Sequence, residues 1–141
     1  MTSILVPIDG LQDNARLVAR VVELCRQGPT EVHLLSVQTA FNAHVAMFFA
    51  AAELRAFHDE DARRELAPVE RLLDEAGVPF TSHVQVGRHA DTISRVAQEL
   101  RCRHILMQER PANPLSRLVM GSLADQVQHL VAGTSTACDV I

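Results

Sequence analysis

Few residues in this chain have the type and spacing to do chemistry, and most of them sit at expected turns. Asp9-Gly10 closes an apolar run. A carboxylate there could accept hydrogen bonds from a ligand, or simply lie near the start of the next helix, where the helix dipole favours it. Gly121-Ser122 opens the last expected helix. Its backbone N–H groups and hydroxyl could meet a phosphate, or Ser122 could act only as an N-cap. His58 stands beside Asp59, Glu60 and Asp61. These are metal-ligand types, but no H-x-x-x-H pair accompanies them, and the run reads as a solvated acidic helix face. Ser94, Ser116 and Ser122 have no evident His and Asp partners, and a G-x-S-x-G elbow is absent. Neither G-x-x-x-x-G-K-[ST] nor G-x-G-x-x-G occurs. The spacing supports a binding module over an enzyme.

The bulk properties narrow the partners. At 141 residues with 48 % hydrophobic residues, the chain fits one domain over residues 1–141 with one core. It has no Trp and no Tyr, so Ala, Val and Leu are expected to build that core, with five Phe as its only large rings. The net charge is −4, and no basic run exceeds Arg63-Arg64. A binder of phosphate backbones shows a clustered basic footprint, so no nucleic acid is expected. The apolar runs are too short to span a bilayer, so no membrane is expected either. Met1 leads directly into a strand-like run without a basic leader, which argues against export and for the cytoplasm. Cys25, Cys102 and Cys138 are odd in number and far apart, a pattern of buried thiols in a reducing compartment.

Hydrophobic periodicity supplies the elements that must position these residues. Ser3 to Ile8 reads as a strand. Leu11, Ala15, Val18, Val22 and Cys25 form one helix face, ended by Gly28-Pro29. Val32 to Val37 is a second strand. A helical region from about Ala43 to Ala76 follows, with Val45, Phe48, Phe49 and Ala52 on one face. Core packing is the expected role of the two Phe; exposure would instead mark a partner surface. Further on, Ala62, Leu66, Val69, Leu73 and Ala76 share a face, and Pro68 among them predicts a kink or break near Ala67. Gly77 falls where a left-handed C-terminal cap belongs. Phe80 to Val86, ended by Gly87, is the third strand. Ile93, Val96, Ala97 and Leu100 mark a helix, and His104 to Met107 a short fourth strand. Leu123, Val127, Leu130 and Val131 mark the last helix, and Ala137 to Ile141 a fifth strand.

Strands alternating with helices imply a doubly wound parallel sheet with right-handed crossovers and helices on both faces. Ligands of such sheets bind beyond the carboxyl ends of the strands. The turns after strands one, three and four, at Asp9, Gly87 and Gln108 to Ser122, are therefore the expected walls of a crevice.

These residues also carry a resemblance. Ile4-Leu5-Val6-Pro7-Ile8-Asp9-Gly10 resembles the opening strand of the universal stress protein family, which ends in V-P-x-D. Val32 to Val37 is similar to its second strand, and Val84-Gln85-Val86-Gly87 with Ile93 to its V-x-x-G segment. Leu115 to Ala124, around Gly121-Ser122, resembles the family's most specific stretch. The resemblance implies a five-stranded parallel sheet of order 3-2-1-4-5, in the three-layer α/β/α, Rossmann-like architecture of the adenine-nucleotide alpha-hydrolase type. It also implies a homodimer built through the last strand, although Cys138-Asp139-Val140-Ile141 makes that strand short.

Members of the family that bind ATP carry G-2x-G-9x-G-[ST] after strand four. Counting back from Gly121 places Pro111 and Gln108 at the two earlier glycines. Pro111 removes an N–H donor, Gln108 adds a side chain where backbone must approach phosphate, and Glu109 adds negative charge. The resemblance still places Asp9 and Val37 at the adenine, and Gly87, Met107, Gly121, Ser122 and Leu123 around a candidate nucleotide crevice. The degenerate motif implies a stress-response regulatory or interaction module with no cofactor and a still unidentified protein partner. The alternative is an adenine-nucleotide sensor that holds ATP or AMP by its adenosine half.

Overall fold

Three apolar runs pair side by side to make the frame of the fold. β1 (Thr2–Ile8) lies parallel to β2 (Thr30–Gln38), which lies parallel to β3 (Phe80–Val86). β4 (His104–Ile105) adds to the other side of β1, again parallel. The computed structural model describes residues 1–10, 13–107, 123–132 and 139–141. The strand order is β3-β2-β1-β4-β5. Of the expected fifth strand, β5 (Asp139–Val140) is described and joins the edge beside His104 and Ile105, while Ala137 and Cys138 lie outside the described residues.

A parallel sheet must be covered on both faces, and successive residues of a strand serve opposite faces. Ile4, Val6, Ile8, Val32 and Leu34 point to one side, where they meet α1 (Asn14–Gln27) and α3 (Ala51–Glu75). Leu5, Leu35 and Val37 point to the other, where they meet α4 (His89–Glu99) and α5 (Leu123–Ala132). Leu17 from α1 and Leu73 from α3 are fully buried. Burying each contributes roughly 1.5–3 kcal/mol.

Each helix end has a local cause. The Asp13 side chain accepts from the Arg16 N–H at 3.2 Å and starts α1. Gly77 takes the left-handed conformation, with φ 73°, and ends α3 as expected. Its N–H donates to the Asp74 carbonyl and that of Val78 to the Leu73 carbonyl, a Schellman motif whose apolar contact is Val78 against the core.

Three expectations need correction. The buried stripe of α1 is Leu17, Val18 and Val21, while Ala15 is exposed. The larger side chains set the rotation of the helix, because Ala brings little apolar area. The helical region does divide, but at Met47–Ala50, between the short α2 (Ala43–Ala46) and α3, and α3 runs on through Pro68. Pro68 deprives the Arg64 carbonyl of its helical donor, and Arg64 lies on the exposed side, where water can take that place. Finally, the rings do not build the core. Phe80 packs against it in part, whereas Phe41, Phe48, Phe49 and Phe57 are exposed.

Candidate functional site

A crevice of about 330 Å³ opens beyond the carboxyl ends of β1 and β2. Asp9 enters it from the end of β1, and Val37 and Gln38 from the end of β2. α3 contributes His58, Asp61 and Glu65, spaced to fall on one stripe beside its buried face. Phe41 closes one side with its ring 4.6 Å from that of His58, and His89 enters from the first turn of α4. Gly10, with φ 78°, turns the chain away from Asp9 and brings its backbone against Glu65. A Cβ at Gly10 would lie 3.3 Å from Glu65 Cγ.

The floor is a hydrogen-bonded chain. The Ser36 hydroxyl donates to Glu65 Oε2 at 2.9 Å and accepts from Gln38 Nε2 at 3.0 Å. Ser36 and Gln38 are buried polar residues in an otherwise apolar strand, and each satisfies the other. Burial pushes the Glu65 carboxyl above its ordinary range, and the charges of Asp61 and Asp9 push it the same way. The Ser36 hydrogen bond and His89 oppose that shift. The crevice is thus an acidic, ring-walled space, and among the described residues no Arg lines it.

The expected site residues divide into three groups. Asp9 and Val37 come together in the crevice. Gly87, Met107 and Leu123 are not among its lining residues. The Gly87 N–H donates to the Gln38 carbonyl at 2.9 Å, and a Cβ there would stand 2.6 Å from Thr92 Oγ1, so close strand–helix packing requires glycine. Met107 and Leu123 pack against the α4–α5 core, and the Met107 N–H donates to the Ile141 carbonyl. Gly121, Ser122, Gln108, Glu109 and Pro111 lie outside the described residues. The acidic run is the expected solvated face, with Asp59, Glu60 and Asp61 exposed, and His58 and Asp61 also line the crevice. Among the described residues no His, Cys, Asp and Glu cluster is arranged to hold a metal.

Sequence reasoning missed Ser36, Gln38, Glu65, Phe41 and His89. Three of them carried a signal. A serine and a glutamine at alternate positions near the end of an apolar strand mark a polar patch on one face. Glu65 follows His58 and Asp61 at helical spacing, so the three share a stripe. Cys25 is half-buried and Cys102 is buried. Among the described residues no helix is long and apolar enough to cross a membrane.

Comparison with known proteins bears on this geometry. No curated protein matches the chain. Solved structures match over nearly its whole length. One is a universal stress protein in complex with cAMP, at 15 % identity over 99 % of this chain and 96 % of that one, TM-score 0.69. Another, from Arabidopsis thaliana, has AMP bound, at 15 % identity over 100 % and 90 %, TM-score 0.67. A third, from Archaeoglobus fulgidus, is in complex with dAMP, at 18 % identity over 100 % and 98 %, TM-score 0.63. At these identities the likeness speaks for the fold. The family itself is shown by a sequence model, described as the universal stress protein family, that matches residues 1–132. With that match over nearly all of its length, the chain belongs to the universal stress protein family.

Proposed function

We propose that the chain is a stress-response regulatory and interaction module of the class that does not bind ATP. The observation that carries this reading is the charge of the crevice. Asp9, Asp61 and Glu65 line it, and a triphosphate entering there meets carboxylates where it needs donors. Gln108 and Pro111, at the positions of the family's phosphate-loop glycines, point the same way. One hydrogen bond to a charged group contributes ~1.5–3 kcal/mol, so the N–H that Pro111 lacks is worth roughly tenfold to a hundredfold in affinity. Among the described residues no catalytic constellation accompanies the crevice, which favours a binding role; a slow ATPase is tested by phosphate release with Mg²⁺. As in the family resemblance, the module is a homodimer paired through residues 136–141, with the preceding helix adding contacts. Sedimentation of a monomer at micromolar concentration would remove that part.

A second reading is favoured by one observation. Asp9 and Val37 do share a crevice, and relatives of this fold are described with cAMP, AMP and dAMP. On that reading the adenosine half is held and the phosphates stay in solvent. Denaturing the purified protein and chromatographing the supernatant separates the two. The expected result is no bound nucleotide and little heat on titration with ATP. ATP retained through purification, or low-micromolar ATP affinity that Gln108→Gly with Pro111→Gly fails to improve, would overturn the first reading.

A further inference from the structure

Next to the crevice, joined to it through Phe41, lies a patch of large apolar side chains. Met47 is 79 % exposed and Phe48 70 % exposed. Phe49 and Phe57 stand edge to face at 5.5 Å, and Phe57 meets Phe41 in the same way at 6.3 Å. The backbone that carries them is held at both ends. Asn42 accepts from the Val45 N–H at 2.8 Å, and Glu53 accepts from the Ala50 N–H at 3.2 Å. The turn Met47–Ala50 therefore displays these side chains from a fixed frame. Four of the chain's five Phe gather here, in a protein that uses almost no aromatic residues inside. A contiguous apolar surface of this kind marks a place where another molecule docks.

Charge selects the occupant. From Met47 to Asp61 the chain carries Glu53, Asp59, Glu60 and Asp61 against the single Arg55. Glu53, Glu60 and Asp61 lie at helical spacing from Phe57 and share its side of α3, and Arg64, 3.5 and 3.6 Å from Glu60 and Asp61, offsets one of these three charges. A second copy related by a two-fold axis would set this acidic rim against itself, in chains already at −4 each. An anionic lipid surface is repelled for the same reason. A partner with Lys or Arg flanking an apolar stripe fits both features. Its apolar side chains meet Met47, Phe48 and Phe57, and its cations meet the acidic rim and the ring faces.

We propose that this surface docks a basic amphipathic helix of another protein. The inference rests on the interaction-module reading and names the partner chemistry for it. Phe41 belongs to both the patch and the crevice wall, so the docking surface adjoins the candidate ligand site.

The test uses the full chain and two labelled synthetic helices with the same leucine stripe, one with lysine and one with glutamate at the polar positions. Fluorescence anisotropy at physiological salt should show saturable binding of the lysine helix. Affinity for the glutamate helix should be weaker by about tenfold or more. Phe48→Ser and Phe57→Ser, both at exposed positions, should keep the circular dichroism spectrum and each weaken lysine-helix binding by about tenfold. Equal affinity for the two helices, or binding unchanged in both variants, overturns the proposal. So does sedimentation showing that Phe48→Ser dissolves a dimer, or binding to phosphatidylglycerol vesicles that outcompetes the peptide. The two readings fail separately. Nucleotide retained on purification removes the class assigned above and leaves the peptide titration standing. Absence of lysine-helix binding removes this surface and leaves the nucleotide result untouched.

Discussion

β2 carries two polar clusters, one on each face of the sheet. Near its carboxyl end, Ser36 and Gln38 face α3, and Ser36 reaches across to Glu65. Nearer its start, His33 shares parity with Leu35 and Val37 and so faces the α4 side. His33 Nε2 lies 2.7 Å from Glu31 Oε1, and its Nδ1 lies 2.9 Å from His83 Nε2 on β3. The first cluster ties strand to helix under the crevice, where three carboxylates crowd together. The second ties strand to strand at the edge of the sheet, with Glu31 half in water. Each disfavours the charged form of one titratable group, Glu65 in the first and His83 in the second. Because one group is an acid and the other a base, they do so with opposite dependence on pH. A buried strand can thus hold polar side chains on both faces, provided each is bonded locally.

The largest expected effect separates the clusters by their access to water. Ser36 is fully buried, and its loss leaves Gln38 without its acceptor and Glu65 without its donor. Ser36→Ala should lower stability by about 1–3 kcal/mol. Glu31→Gln keeps an oxygen for the His33 N–H in a half-solvated place and should lower it by less than about 1 kcal/mol. Urea denaturation of both variants at neutral pH measures the difference. Equal losses would mean that the two clusters are hydrated alike and would break the comparison.

Much of this arrangement was legible in the sequence. The alternation of apolar runs with helical periods placed the strands, and Gly77 was readable as a cap because its role is local. Asp9 was readable because a parallel sheet puts its strand ends together, and Val37 only through the family resemblance. The Ser36–Glu65 bond was not, since 29 residues separate the partners and only the packing of α3 on β2 joins them. The break at Met47–Ala50 was masked by Pro68, a strong local signal that a solvated carbonyl at Arg64 overrides. The aromatic patch was misread for a related reason. Hydropathy gives each Phe a preference for burial, but here α3 turns its Ala, Leu and Val stripe to the sheet and leaves Phe57 outside.

A smaller effect sharpens the crevice side. The carboxyl of Glu65 is raised above its ordinary 4.5, first by burial and then by Asp61 and Asp9. The folded protein therefore holds a proton there that the unfolded chain has released. Stability from this group is full below 4.5 and is lost as pH rises through the folded value. At neutral pH, ionised Glu65 is a cost to the fold. Glu65→Gln keeps an oxygen to accept from Ser36 and removes the charge. The variant should be more stable than the parent at pH 7, with the gain shrinking as pH falls toward 4.5. Thermal melts across that range test it, and a variant less stable at every pH would show that the carboxylate is held by a cation the crevice lining does not include.

The smallest effect lies at the other cluster and has the opposite sign. A carboxylate can only accept, so the Glu31 contact assigns the proton of His33 to Nε2. Neutral His33 then offers a bare Nδ1, and His83 donates to it through Nε2. If both rings were charged, two N–H groups would face each other across 2.9 Å, which opposes a proton on His83. Burial, and then the charge of His33, accordingly pull His83 below the ordinary 6.5. Here the unfolded chain binds the proton more readily than the folded one. Stability from His83 is full above 6.5 and is lost as pH falls through that value toward the lower folded one. His83→Gln supplies a donor for His33 Nδ1 and cannot titrate. It should flatten this part of the profile while leaving the Glu65 part in place, and Glu65→Gln should do the converse. If either substitution flattened both parts, the two clusters would be one coupled unit through β2, and the comparison between them would fail.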